Sequence, residues 1–358
     1  MRIAILVPGL APHDAVSNDA LGMTVVLREL GHEVALFAPH SSGIGEPVRE
    51  PTEIETWLQS PRDIVIYHFC GGWDFPLALL RRVRARRIVR YHNITPPEFF
   101  EPWSSGYVSA CAEGRAQIAA FAALNCELYL GDSPYNVEDF THCGVAPARC
   151  AVLAPFHEVE QLRGLQPDAR RIPNGAPLML MIGRQSPNKG YLDLIDALDA
   201  CAAVGAPDAH LLLIGKLDPT LAAYGEAIHA RIAERGLESR VTLLQDASGA
   251  ELRAACARAD ALVMLSRHEG FCVPVIEAMA LGTPVVALAS SAIPSTLGDA
   301  GVLWETPDPY LIAATVARIC ADAELRAQLQ ARGLARYARL FAPDVLATEL
   351  ARTMERFA

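Results

Sequence analysis

A chain of 358 residues is too long for one ordinary hydrophobic core, and two domains of about 150–200 residues are its natural division. The net charge of −10 leaves no domain-wide basic surface for nucleic acid, and no apolar run reaches transmembrane length. The opening MRIAILVPGL reads as a strand and a loop rather than a secretion signal, and nine cysteines without a C-x-x-C pair fit a reducing, cytoplasmic location.

Residues 2–7 form the first expected strand, and the loop after it carries Gly9, where backbone can approach a ligand closely. A helix is expected over 19–30, with Ser17 or Asn18 as N-cap and Gly31 as stop, followed by a strand over 34–37. This βαβ opening lacks G-x-G-x-x-G, so the usual dinucleotide fingerprint is missing. His13, Asp14, Ser17 and Asn18 read either as acceptor-side polar groups or as loop residues and a helix cap. A strand over 64–68 leads through Gly71-Gly72 to a helix over 74–83. Six arginines, Arg81, Arg82, Arg84, Arg86, Arg87 and Arg90, then fall within ten residues. They read as a solvated helix end matched to its dipole, or as a patch for anionic lipid headgroups.

The strand over 88–91 runs directly into His92-Asn93-Ile94-Thr95-Pro96-Pro97. A histidine at a strand end before a proline-stiffened loop suits a ligand contact or a satisfied structural role. Strands over 127–131 and 150–153 complete the first half, with Ser133-Pro134 opening a helix between them. The stretch 155–177 is polar with Pro and Gly and reads as a linker, after which strand–helix alternation restarts at Leu178. No His, Cys or Asp group has metal-ligand spacing, so neither a metal nor a bound cofactor is expected.

Lysine is used only twice in the chain, at Lys189 and Lys216, each just past an expected strand (178–182 and 210–214). Ligands of open parallel sheets bind at such ends. Arg184 offers a planar fork and Lys189 a point charge, and together they can hold a diphosphate. Gly215-Lys216 reads as a ligand contact or an ordinary loop. A strand over 241–244 and a helix over 249–258 lead to the stretch from Leu265 to Ala287, LSRHEGFCVPVIEAMALGTPVVA. There a polar turn follows an apolar strand, Pro274 opens an apolar helix, and Gly-Thr-Pro ends it before another strand. Glu269 and Glu277 bracket the turn, and between them the N–H groups of Gly270, Phe271 and Cys272 can point outward at the helix N-terminus as an anion site. A carboxylate beside an anion site suits a ligand carrying both hydroxyls and phosphate. Beyond it a short strand over 302–303, a helix over 309–320 and a helical tail complete the pattern.

This stretch resembles the E-x7-E signature of the retaining family-4 glycosyltransferases of the GT-B fold, within the longer frame S-x-x-E-G-F-x-x-P-x-x-E-A-M-A-x-G-x-P-V-V. Gly183-Arg184 to Lys189-Gly190 resembles the family's G-R-x-x-x-x-K-G element, and Tyr91-His92-Asn93 with Pro96-Pro97 resembles a string found in part of the family. The resemblance implies an α/β, GT-B chain of two Rossmann-like, doubly wound domains facing a central cleft: an acceptor-side domain (1–165), a donor domain (166–341) and a C-terminal helix (342–358) crossing back to the first domain. It implies a retaining, metal-independent hexosyltransferase moving a mannose- or glucose-type sugar from a nucleoside diphosphate sugar, GDP or UDP favoured, to a glycan, lipid-linked or small-molecule acceptor. By that resemblance Glu269, His92, Arg184 and Lys189 are the catalytic candidates, with His92 near the 6-hydroxyl of the donor sugar. Gly9, Arg184, Lys189, Gly215, Lys216, Glu269, Gly270, Phe271, Cys272 and Glu277 would hold the donor, Glu277 through ribose hydroxyls. A lipid-linked acceptor would suit a peripheral contact with the inner membrane face through Arg81, Arg82, Arg84 and Arg86. A sugar phosphorylase, a nucleotide-sugar epimerase and a non-catalytic nucleotide-sugar sensor are the competing readings of the same scaffold.

Overall fold

The computed structural model describes residues 1–174 and 176–357. The chain divides into two compact units, each built on a wholly parallel sheet. Unit 1 comprises Met1–Glu98, Tyr107–His157 and the segment from Phe341 onward; unit 2 comprises Phe99–Gly106 and Glu158–Leu340.

The sheet of unit 1 has seven strands: β1 (Arg2–Leu6), β2 (Glu33–Phe37), β3 (Val48–Arg49), β4 (Ile64–Phe69), β5 (Arg86–Tyr91), β6 (Leu128–Gly131) and β7 (Cys150–Val152), in the order β3-β2-β1-β4-β5-β6-β7. Period-two alternation divides its side chains between two apolar layers. Ile3, Ile5, Ile64, Ile66, Ile88, Leu128 and Leu130 face the helix Ala15–Glu29 and the C-terminal helix Pro343–Met354, which buries Leu346, Leu350 and Met354. Ala4, Leu6, Val65, Tyr67, Phe69, Val89, Tyr91 and Tyr129 face the helices Asp74–Arg82, Ser105–Ala122 and Pro134–His142. Because crossover helices cover both faces, these strands are apolar on consecutive residues.

Three expectations are corrected here. The first helix begins at Ala15 and is capped by Asp14, not by Ser17 or Asn18: the Asp14 carboxylate accepts the Ser17 N–H at 2.8 Å and the Ser17 hydroxyl at 2.8 Å. Ser17 is buried inside the first turn and its hydroxyl accepts the Ala11 N–H at 3.1 Å. The stretch read as a plain linker contains a helix, Val159–Gly164, whose Val159 and Leu162 are buried beneath polar neighbours. The run of arginines is not one patch. Arg82 pairs with Glu55 at 2.7 Å, Arg86 donates to the Phe357 carbonyl, Arg87 pairs with Glu127, and Arg90 is wholly buried.

Unit 2 has six parallel strands: β8 (Leu178–Ile182), β9 (His210–Ile214), β10 (Val241–Leu244), β11 (Ala261–Met264), β12 (Val285–Leu288) and β13 (Val302–Trp304), in the order β10-β9-β8-β11-β12-β13. The order reverses between β8 and β11, and it is at the C-terminal ends of strands at such a switch point that open parallel sheets form a binding crevice.

Candidate active site

The loops after β8 and β11 are joined by side-chain and backbone hydrogen bonds that depend on particular residues. The Asn188 amide donates to the His268 carbonyl at 3.0 Å, and the Arg267 N–H donates to the Asn188 carbonyl at 2.8 Å. Gly190 follows in the left-handed region with φ +72°, and a Cβ there would lie 2.3 Å from the Leu265 carbonyl oxygen, so only glycine lets the two loops approach. This closeness carries the ammonium of Lys189 to Glu269, 2.7 and 2.8 Å from its two oxygens, with both side chains largely buried. The other side of Glu269 is fixed by its N–H, which donates to the Ser291 hydroxyl at 2.7 Å.

One strand further, Gly215 packs against the end of β8, where a Cβ would fall 1.7 Å from the Gly183 carbonyl oxygen. The Gln185 N–H donates to the Lys216 carbonyl at 2.9 Å, so Arg184 and Lys216 leave adjacent strand ends. Both side chains are exposed. Two exposed cations and one anchored cation thus stand at these strand ends.

The helix Val273–Leu281 begins where expected, with Pro274 in its first turn. Its N-cap is Cys272 at φ +79° and ψ +71°, a conformation that costs an L-residue about 1–2 kcal/mol and that turns the chain sharply from loop into helix. Gly270, Phe271 and Cys272 therefore do precede a helix N-terminus, and the Phe271 carbonyl is held by the Thr296 hydroxyl at 2.7 Å. Glu277 lies two turns below the Glu269 loop. Burial pushes its carboxyl up to about 7.

Unit 1 holds a second polar cluster, at the C-terminal ends of its central strands. The alternation that places Ile64 and Ile66, then Ile88, then Leu128 and Leu130 on one face puts His68, Arg90, His92 and Asp132 on that face at the next positions. Asp19, from the helix Ala15–Glu29, meets them. Arg90 donates through Nε to Asp19 Oδ2 at 2.9 Å and through Nη1 to the Leu153 carbonyl at 2.7 Å, and its Nη2 lies 2.9 Å from Asp132 Oδ1. The Phe156 N–H donates to Asp19 Oδ1 at 2.8 Å. Burial raises the Asp19 carboxyl, but Arg90, His92 and His68 lower it further, to about 2. His92 Nδ1 lies 3.1 Å from Asp132 Oδ2 and His92 Nε2 lies 2.9 Å from His68 Nδ1. The hydrogen bonds assign Nδ1–H to His92, with His68 Nδ1–H donating to its Nε2. Burial, and next His92, hold His68 well below the ordinary imidazole range.

The structure thus brings Arg184, Lys189, Gly215, Lys216, Glu269, Gly270, Phe271, Cys272 and Glu277 to one edge of unit 2, while Gly9 and His92 belong to unit 1. Both ring nitrogens of His92 are engaged within unit 1. His13, on the same unit, takes φ +61°. The partners of His92 (Asp19, His68 and Asp132) were not singled out from sequence, although strand alternation places His68 and Asp132 on a face that is apolar two residues earlier.

Two doubly wound parallel units, one bordered by cations and carboxylates at its strand ends, define the GT-B class of α/β protein. Anabaena HepE, solved in complex with UDP and glucose, superposes on the chain with a TM-score of 0.76, covering 99% of each chain at 18% identity. Residues 163–336 match the model for glycosyl transferases group 1. The GDP-mannose:cellobiosyl-diphosphopolyprenol alpha-mannosyltransferase of Xanthomonas oryzae pv. oryzae is 33% identical over 309 residues, 78% of this chain and 74% of that protein. The phosphatidyl-myo-inositol mannosyltransferase of Mycolicibacterium smegmatis is 31% identical over 374 residues, 95% of this chain and 90% of that protein. The chain belongs to the group 1, family-4 glycosyltransferases, and it is a glycosyltransferase.

Proposed function

We propose that the enzyme is a retaining, metal-independent hexosyltransferase that takes a mannose-type sugar from a nucleoside diphosphate donor, with GDP favoured over UDP and a glucose-type sugar as the second candidate. The observation that carries the reading is the convergence of Arg184, Lys189 and Lys216 with Glu269 and Glu277 at one sheet edge. The two mannosyltransferase relatives support the sugar, and the GDP-mannose enzyme of Xanthomonas supports the base.

Breaking the anomeric C–O bond sends negative charge onto the leaving diphosphate. Arg184, Lys189, Lys216 and the N–H groups at the start of the helix Val273–Leu281 would stabilise that charge, so the transfer step itself requires no metal. Glu277 would accept hydrogen bonds from the two ribose hydroxyls, and Glu269 would hold hydroxyls of the sugar. The leaving phosphate takes the acceptor proton while the acceptor oxygen attacks from the same face, which retains configuration without a nucleophilic carboxylate.

The acceptor is a lipid-linked glycan or an inositol lipid, by the names of the same relatives. Nine free cysteines fit the reducing cytoplasm, and no helix among the described residues is long and apolar enough to cross a membrane. A peripheral membrane contact would rest on Arg81 and Arg84, the exposed arginines that remain once Arg82, Arg86, Arg87 and Arg90 are engaged within the protein.

The test is a thermal-shift panel of GDP-, UDP-, ADP- and dTDP-sugars in the presence of a chelator. A ligand at 100 times its dissociation constant adds about 2.7 kcal/mol, enough to raise the midpoint visibly. A selective rise with GDP-mannose is expected, and a flat panel would overturn the donor assignment. An inverted anomeric centre in the product, read by NMR, would overturn retention.

A further inference from the structure

One short piece of chain belongs to unit 2 although the residues on both sides of it belong to unit 1. The chain leaves unit 1 after Glu98, contributes Phe99–Gly106 to unit 2 and rejoins unit 1 at Tyr107. Its sequence, FFEPWSSG, sets three aromatic side chains within five residues. A 3₁₀ turn, Pro97–Phe99, leads in, and the Phe100 carbonyl then accepts the N–H groups of Trp103 and Ser104, both at 2.9 Å. A helical turn of this kind presents residues four apart on one side, and Phe99 and Trp103 have that spacing.

The two rings meet different parts of the donor edge. Phe99 lies against the His268 ring, with centroids 6.2 Å apart and planes at 46°. His268 is buried, immediately precedes Glu269, and carries the carbonyl that Asn188 holds. Trp103 meets Tyr224 edge-on, at 5.1 Å and 72°. Tyr224 is buried, and its hydroxyl takes a hydrogen bond from the backbone of Tyr191, two residues beyond Lys189. Both separations fall in the range of attractive aromatic pairs, about 4.5–7 Å. The segment therefore bears on both sides of the Lys189–Glu269 ion pair, on one side through residue 268 and on the other through residue 191.

We propose that Phe99 and Trp103 are positioning residues for the donor site: through His268, and through Tyr224 and Tyr191, they hold the loops of Glu269 and Lys189 at the spacing that transfer needs. The role rests on the donor reading of that pair. It goes further in making the chemistry of unit 2 depend on a segment whose chain continues into unit 1 at both ends. A misplacement of about 1 Å can cost about 100-fold in rate, so such contacts govern turnover without touching the substrate.

The experiment is amide hydrogen exchange on the full-length chain and on Phe99→Ala and Trp103→Ala. In Phe99→Ala, exchange should quicken about tenfold at Arg267 and Glu269, whose N–H groups donate to the Asn188 carbonyl and the Ser291 hydroxyl. In Trp103→Ala the Tyr191 amide should quicken instead, with β8 and β11 unchanged in both variants. No local change would overturn the proposal, and so would a uniform acceleration across unit 2, which marks a contribution to stability alone. Phe99→Leu and Trp103→Leu keep apolar bulk without the ring and should show the same two patterns should an alanine variant not fold. Phe99→Tyr and Trp103→Phe keep the ring and should restore wild-type exchange.

Release of GDP from GDP-mannose, with water as the acceptor, gives the second readout. Each alanine variant should lose about 10–100-fold in kcat with KM changed less than about twofold, the mark of an interaction expressed in the transition state. A raised KM with wild-type kcat would overturn the positioning role. A wild-type chain that releases no GDP would count against the donor reading instead, and the exchange pattern would still decide what the two rings do.

Discussion

The ammonium of Lys189 lies 2.7 and 2.8 Å from the two carboxylate oxygens of Glu269, a residue 80 positions further along the chain. A diphosphate that takes Lys189 must therefore compete with a carboxylate already in place, and the negative charge of Glu269 repels the same phosphate. Glu269→Gln should consequently bind the bare nucleoside diphosphate about tenfold more tightly, about 1.4 kcal/mol, while losing turnover because the sugar hydroxyls lose their acceptor. Calorimetry with GDP and UDP, set beside initial rates, reads both effects. Unchanged or weaker diphosphate binding in Glu269→Gln would mean that the two residues do not compete for one partner.

Arg184 and Lys216 differ from Lys189 in being exposed, and neither forms an ion pair among the described residues, so their removal should leave the fold unchanged. Arg184→Ala should lower kcat by about 10²–10³-fold, the usual cost of deleting one group that stabilises a developing oxyanion, with a thermal midpoint close to wild type. Lys216→Ala should act mainly on KM, by about tenfold, as expected for uniform binding. Wild-type rates in Arg184→Ala would remove it from the phosphate clamp.

Contiguous motifs were the legible part of the sequence. Gly183-Arg184 to Lys189-Gly190 and Glu269 to Glu277 each lie within one loop and its flanking elements, so spacing alone places them at strand ends. The alternation of apolar strands and helices likewise revealed two parallel sheets. What spacing could not show was the pairing of Lys189 with Glu269, because it depends on the strand order that makes β8 and β11 neighbours. The same holds for Asp19, His68, His92 and Asp132, which arrive from one helix and three strand ends. Their signal was local but weak: a polar residue continuing the inward face of Ile64 and Ile66, of Ile88, and of Leu128 and Leu130. The helix Val159–Gly164 was hidden because only two of its six residues are buried.

Glu277 should give donor binding a pH dependence. Burial holds its carboxyl near 7 instead of the ordinary 4.5, so the folded state keeps a proton that the unfolded chain has already lost between those values. This contribution makes stability fall as pH rises from about 4.5 to about 7 and then level off. Binding runs the other way, because two ribose hydroxyls need a carboxylate to accept them. Affinity for a nucleotide sugar should rise by up to about tenfold between pH 6 and pH 8, as the ionised fraction climbs from about a tenth to about nine tenths. A nucleotide sugar is the proper probe, since its diphosphate diester does not titrate in this range whereas a free diphosphate does. Glu277→Gln should flatten the profile, and a wild-type profile already flat would mean that Glu277 does not meet the diol.

Glycine is required at position 190 for two separable reasons, its φ of +72° and the Leu265 carbonyl oxygen 2.3 Å from where a Cβ would be. Gly205 shares the first at φ +84° but has nothing within 4 Å of its missing Cβ. Gly205→Ala should therefore cost only the backbone contribution, about 1 kcal/mol, whereas Gly190→Ala should cost about 2–4 kcal/mol because the Leu265 carbonyl or the loop must move. Movement there shifts Lys189, the next residue, away from Glu269, so Gly190→Ala should also lose transfer activity at temperatures where it remains folded. Denaturant melts of the two variants, read beside their rates, separate the effects. Equal destabilisation by both substitutions would show that left-handed geometry alone, and not the approach of the two loops, calls for glycine after Lys189.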